Sequence, residues 1–208
     1  GELMTVTTID WASGAESVIR LYGYNATYSV CRSTCTAVNW PIIHIGQSLG
    51  YFCYRSVFRF DTSSIGTDVI SSAYMKLAAV ADATAGGDFT INIMDADYSA
   101  YIADMTTNKE AIYDLILAAS VDATWRNTSG MSLNTYYSSN AINTSWINTS
   151  GYTYYGLMSA NDYGNTQPTG YEYVTLDKTT NIPQLVLTHA PPAASGPRAA
   201  YLSDYGII

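Results

Sequence analysis

An all-β, jelly-roll-like sandwich with one short helix is the fold class this sequence predicts, and three observations predict it. Apolar residues alternate with period two along most of the chain, turn residues punctuate it at short intervals, and helical periodicity is confined to one stretch. Strands at such spacing, with turn signals between them, indicate a sandwich. The chain has 208 residues, 48% hydrophobic and only 12% charged, with a net charge of −8. That length suits a single sandwich domain. Charged residues are about half their usual share, and Ser, Thr, Asn and nineteen Tyr fill the place. Such a composition is expected outside the cell. Ample Ile, Val, Leu and aromatic residues exclude a disordered chain, and no apolar run approaches the roughly eighteen residues of a membrane span. Nine Lys plus Arg against seventeen acids leave no footprint for gripping phosphate backbones, so nucleic acid is not an expected partner.

Leu3 to Ile9 reads as a first strand, with TVTTI rich in β-branched residues, and the small residues of WASGA follow as a linker. Residues 1–16 are therefore an N-terminal strand or arm, and the sandwich body runs over 17–190. Ser17 to Tyr24 and Asn25 to Val30 read as extended segments broken at Gly23-Tyr24-Asn25. The clearest strand is Tyr51 to Phe60, where alternation puts Phe52, Tyr54, Phe58 and Phe60 on one side and Tyr51, Cys53, Arg55, Val57 and Arg59 on the other. Only a strand buried on both faces reads like that. Asp61 to Gly66 is a turn cluster, Val69 to Val80 the next strand, and AGGD turns into Phe89 to Met94. Over about 108–119 the period changes: Ile112, Leu115, Ile116 and Ala119 recur at helical spacing, Asn108 is placed to cap, and Glu110 sits where the helix dipole favours an acid. This helix is expected over one edge of the sandwich. Val121 to Trp125, Ser132 to Tyr137, Tyr152 to Ser159, Tyr171 to Leu176 and Gln184 to His189 supply further strands. From Ala190 the prolines end the pattern, and 191–208 reads as an extended C-terminal arm whose Tyr201, Leu202, Tyr205, Ile207 and Ile208 could contact a neighbouring subunit.

Chemistry-bearing residues are few. Cys31, Cys35 and Cys53 are an odd set, read either as buried thiols or as one disulfide joining Cys53 to Cys31 or Cys35, with Cys35 and Cys53 the candidate pair. CRSTC lacks the second hook of a structural zinc site. Sequons stand at Asn25, Asn127, Asn143 and Asn148, and in a chain so rich in Asn, Ser and Thr they read first as chance matches. His44 and His189 lie in apolar contexts without a ligand partner, and no nucleophile elbow, Walker loop or dinucleotide fingerprint occurs. Neither enzyme activity nor a cofactor is expected. Asp95 and Asp97 are weak calcium candidates, since calcium wants six to eight oxygens. A glycan platform could be built from exposed aromatics, with Trp125, Trp146 and Tyr154 the candidates and Trp11, Trp40, Tyr136, Tyr137, Tyr152 and Tyr155 nearby in type. The same residues equally suit a wet β surface or a subunit interface.

The run YRSVFRFDTSSIGTDVISSAYMKLAAVADATAGGDFTINI, residues 54–93, resembles the DNRLRE-type β-sandwiches, modules akin to carbohydrate-binding ones, and their phage-borne relatives. The residues that carry the likeness are Tyr54, Arg55, Phe60, Asp61, Thr62 and Ser63, then Ile70, Ala73, Met75 and Leu77, then Asp88 and Phe89. Ile45-Gly46-Gln47 upstream and residues 154–190 downstream are similar to the same pattern. Cys31, Cys35 and the length of the helix depart from it. The resemblance implies a surface or assembly module and no chemistry. Independently of it, Arg55 can aim its guanidinium at backbone carbonyls or at a carboxylate such as Asp61, Asp88 or Asp162 and pin a sheet edge. The expected role is a non-enzymatic subunit or decoration of an extracellular assembly, first of all a phage virion, as capsid decoration or as a tail or fibre component. Its partners would be copies of itself and other virion or surface proteins. The alternative is a carbohydrate-binding or adhesion module of a secreted or cell-surface protein.

Overall fold

The computed structural model describes residues 3–12, 18–39 and 43–193. Trp40 and the tail residues Tyr201, Leu202, Tyr205, Ile207 and Ile208 lie outside the described residues. Thirteen strands are found among the described residues: β1 (Thr5–Asp10), β2 (Val18–Tyr24), β3 (Ala37–Asn39), β4 (His44–Ser48), β5 (Phe52–Asp61), β6 (Val69–Leu77), β7 (Ala79–Ala83), β8 (Thr90–Met94), β9 (Val121–Asn127), β10 (Tyr137–Ser138), β11 (Tyr152–Ser159), β12 (Tyr171–Leu176) and β13 (Gln184–Ala190). Three short helices join them, α1 (Tyr28–Ser33), α2 (Lys109–Ala118) and α3 (Ala160–Tyr163). The strands form two antiparallel sheets, one in the order β1-β13-β6-β10 and one in the order β7-β12-β4-β5-β11-β8-β9, with β2 paired along β5 and β3 along β2. The expected all-β sandwich is the fold.

β5 is its axis, and the alternation read from its sequence holds. Phe58 and Phe60 enter the core between the sheets, with Met75, Leu77, Ile91, Trp125, Leu157 and Leu187. Cys53 and Val57 enter a second core that α1 and α2 close from the far side, with Leu21, Met94, Ile116 and Met158. A fully buried Phe contributes about 1.5–3 kcal/mol by burial alone, and β5 places such residues on both faces. Val69 to Val80, read as one strand, is two. It breaks at Ala78, so that β6 lies in the small sheet and β7 in the large one.

Several expectations are corrected. Asn25 to Val30 is not extended, since α1 begins at Tyr28. Helix propensity does not explain this; docking does, because the Arg32 carbonyl accepts from Arg55 and the Arg32 side chain donates to the carbonyls of Asp162 and Tyr163. Ser132 to Tyr136 is irregular around a turn at Leu133 and Asn134, and only Tyr137 and Ser138 pair. Asn108 does not cap α2: its side-chain amide donates back to the Asp104 carbonyl. The helix covers a face of the large sheet rather than an edge, with Ile112, Tyr113 and Ile116 buried. Glu110 accepts from the Cys35 backbone at 2.8 Å. β1, read as an N-terminal strand or arm outside the sandwich body, pairs along its whole length with β13 of its own chain.

The polar composition has a local cause. At Asn25, Asn127, Asn143 and Asn148 the side-chain oxygen accepts the backbone N–H of the Ser or Thr two residues on, at 2.9–3.3 Å. Asp61, Asp97 and Asp177 do the same. These are Asx turns, so all four sequons coincide with turn-forming chemistry. Elsewhere a turn depends on bare backbone: a Cβ on Gly86 would lie 2.6 Å from the Gly170 Cα, and one on Gly170 would lie 2.5 Å from the Gly86 Cα.

Arg55 anchors the helices. Its side chain and that of Asp162 are both fully buried, with Nε 2.7 Å from Oδ2 and the second amino nitrogen 3.0 Å from Oδ1. Of the three carboxylates proposed as partners, Asp162 takes the role, while Asp61 accepts from Ser63 and Asp88 from Thr128. Arg55→Met is expected to cost about 3 kcal/mol, because it leaves the buried Asp162 carboxylate with only the more distant Arg32, whose Nε lies 3.3 Å away. Replacing Asp162 by Leu in the same chain should return much of that loss, as urea unfolding will measure.

Candidate functional site

Period-two placement on three strands builds an aromatic terrace. On β2, Tyr22 and Tyr24 share a face; on β5, Phe52 and Tyr54; on β12, Tyr171 and Tyr173. The ladder aligns them, since Tyr22 lies opposite Tyr54, Tyr54 opposite Gly46, and Gly46 opposite Tyr173. Gly46 is required in that row: its φ of +127° favours glycine, and a Cβ there would lie 2.0 Å from the Glu172 carbonyl oxygen. The gap in side chains lets rings from β5 and β12 meet, with Tyr54 and Tyr173 centroids 5.6 Å apart. Tyr24 stacks on Phe52 at 4.4 Å and Phe52 lies nearly parallel to Tyr54 at 5.8 Å. Tyr24 is 53% exposed and Tyr171 55%, while the inner rings are half-buried.

Arg20 and His44 complete the terrace. The Arg20 guanidinium lies 5.0 Å from the Tyr22 ring centroid and 5.6 Å from that of Tyr54. One of its nitrogens is 2.7 Å from His44 Nδ1. A guanidinium only donates, so that nitrogen accepts and the imidazole is neutral. Burial, reinforced by the Arg20 charge, pulls His44 down to about 4. Burial also raises Tyr54, so at neutral pH its hydroxyl keeps its proton beside a neutral imidazole and one cation.

The candidate glycan residues separate. Trp125 is in the core, 2% exposed, with its indole N–H donating to the Tyr137 carbonyl, and it is no platform. Trp146 and Tyr154 do come together, joined by an indole N–H bond to the Tyr154 carbonyl at 2.9 Å. With Asp97, Asn148, Tyr152 and Thr153 they line a shallow cleft of about 90 Å³. Arg59 lies 4.3 Å over the Tyr152 ring. Tyr136 donates to the Ile182 carbonyl, and Tyr155 is fully buried. Of the motif residues, Phe60 and Phe89 are core, and Tyr54 belongs to the terrace.

Asp95 and Asp97 do not converge. Asp97 turns to Ser99, whereas Asp95 faces Asp122 across the bulged pairing of β8 and β9. Among the described residues no three His, Cys, Asp or Glu side chains gather as metal ligands. Burial and the Asp122 carboxylate push Asp95 up to about 7, and burial raises Asp122 as well. Cys31, Cys35 and Cys53 are buried free thiols, the first of the two cysteine readings; the candidate pair of Cys35 with Cys53 does not form, since the thiol beside Cys53 is Cys31 and Cys35 donates to the Ala37 carbonyl. His189 bridges Thr7 and Asp68, at 2.8 and 2.7 Å. The order of groups is that of a nucleophile, base and acid relay; the three lie on β1, on β13 and just before β6, and their hydrogen bonds fasten the edge strand.

No protein-family model matches this chain, and no curated protein matches it.

The Asp95 shift sets a pH dependence. The unfolded chain releases this proton near about 3.9, whereas the folded one holds it up to about 7. Between these values the folded state binds more protons, so the contribution of Asp95 to stability falls as pH rises. Asp95→Asn should gain stability relative to the unsubstituted chain as pH rises from 4 to 7.5, read from thermal midpoints at each pH. An offset that stays constant with pH would contradict the shift.

Proposed function

We propose that the chain is a non-enzymatic structural subunit or decoration of an extracellular assembly, with a phage virion surface as the first setting to examine. The aromatic terrace carries this reading. Interface cores are enriched in Tyr, Phe and Arg and depleted in Lys, Glu and Asp, and the rings of Tyr22, Tyr24, Phe52, Tyr54, Tyr171 and Tyr173 with Arg20 have that composition. The occupant that fits is a second copy of this chain, whose own surface is as poor in charge. β1 adds a second route of contact. It ends the small sheet's order, has neither Lys nor Pro to blunt it, and leaves its own Val6 and the preceding Leu3 and Met4 exposed. Tyr24→Ser combined with Tyr171→Ser removes the two most exposed rings and touches no core residue. Self-association of the unsubstituted chain, followed by sedimentation velocity across concentration, should weaken at least tenfold in the double variant with an unchanged circular dichroism spectrum. A parent chain that stays monomeric at every concentration would overturn the assignment of the terrace to a second copy.

A carbohydrate-binding role is the second reading, and the cleft favours it. Trp146, Tyr152 and Tyr154 offer ring surface beside the polar Asp97 and Asn148, the mix of apolar wall and few polar groups that small-molecule sites use. Trp146→Ala should lower binding on a glycan array at least tenfold. Trp125→Ala, a core change, should instead lower stability, and an array silent for the unsubstituted chain would refute the reading.

A further inference from the structure

We propose that Cys31 and Cys53 are a cross-link site, oxidised to a disulfide by a low-molecular-weight disulfide while the chain folds. The sulfurs are 22 positions apart in sequence and 2.8 Å apart in space, and both residues are fully buried. A disulfide needs about 2.0 Å, a distance small side-chain rotations reach. The backbones that carry them are held independently of any bond. The Tyr113 hydroxyl lies 3.0 Å from the Cys31 carbonyl and 3.2 Å from the Cys53 carbonyl, bridging the two. Gly23, opposite Cys53 in the ladder of β2 and β5, packs so tightly under α1 that a Cβ there would lie 1.8 Å from the Cys31 oxygen. α1 is thus pressed onto β5 at the point where the two sulfurs meet.

Cys35 does not compete. Its thiol donates to the Ala37 carbonyl and meets no other sulfur, whereas Cys31 and Cys53 meet each other. In the reaction one cysteine thiolate attacks the small disulfide and expels one thiolate. The second cysteine thiolate then attacks the sulfur of the mixed disulfide and expels the other. Two protons leave the cysteines and end on the two small thiols, and the two cysteine sulfurs are oxidised as the reagent is reduced. Since the folded chain closes both sulfurs off from solvent, the exchange precedes final packing of α1.

The whole chain is refolded in a buffer of reduced and oxidised glutathione, then denatured with iodoacetamide and without reductant, and weighed by mass spectrometry. One alkylated thiol is expected, at Cys35, with a peptide pair joining Cys31 to Cys53, and three alkylated thiols after reduction. Cys35→Ser should keep the same cross-link and show no alkylated thiol. Three alkylated thiols without reduction, or a bond that includes Cys35, would overturn the proposal.

Discussion

A guanidinium cut off from water must find oxygen for its N–H groups and a negative charge for its own, and in this chain Arg55 meets both demands from three helices at once. It donates to Asp162 on α3, to the Tyr113 carbonyl on α2 and to the Arg32 carbonyl on α1, and stacks 3.8 Å over the Tyr113 ring. Burial is the largest single influence and works against the charge, but Asp162, Tyr113 and Cys53 together more than offset it, and the group is held more firmly protonated than in water. None of the helices could stand alone, α1 having six residues and α3 four. Isolated helices of that length are unstable in water. Their geometry is therefore set by one buried ion on the central strand, and the second core is the apolar seal around it.

This dependence explains what was legible in the sequence and what was not. β5 could be read because its two-sided burial is written residue by residue, and Asp162 was among the carboxylates that Arg55 could reach. α1 could not, because nothing in NATYSVCRS favours a helix; contacts with Asp162, 130 positions away, create it. The break at Ala78 was hidden for a related reason: a strand that changes sheets keeps its alternation across the corner. The terrace was legible in principle. LYGY, FCY and YEY each carry aromatics two apart, the spacing that puts both on one face, but their alignment needs the strand order β2-β5-β4-β12, which periodicity does not encode. Trp125 failed as a platform residue because sequence shows ring type and not depth.

The two candidate surfaces differ in how they are built. The terrace rests on four neighbouring strands and inherits their rigidity. The cleft is assembled from the turn carrying Trp146 and Asn148 and from one end of β11, so its shape depends on Asx-turn hydrogen bonds. Those turns recur around the molecule, which gives the abundance of Asn, Asp, Ser and Thr a structural purpose. Each satisfies a backbone N–H that a loop would otherwise leave to solvent, without adding net charge where Asn is used.

The contact of Gly86 with Gly170 constrains the lineage of this protein in a particular way. Most touching pairs can drift together, one side chain shrinking as its partner grows. Here each residue is already the smallest there is, so no second change can make room for the first. Descent can preserve both positions or reroute both loops, and has no gradual path between these.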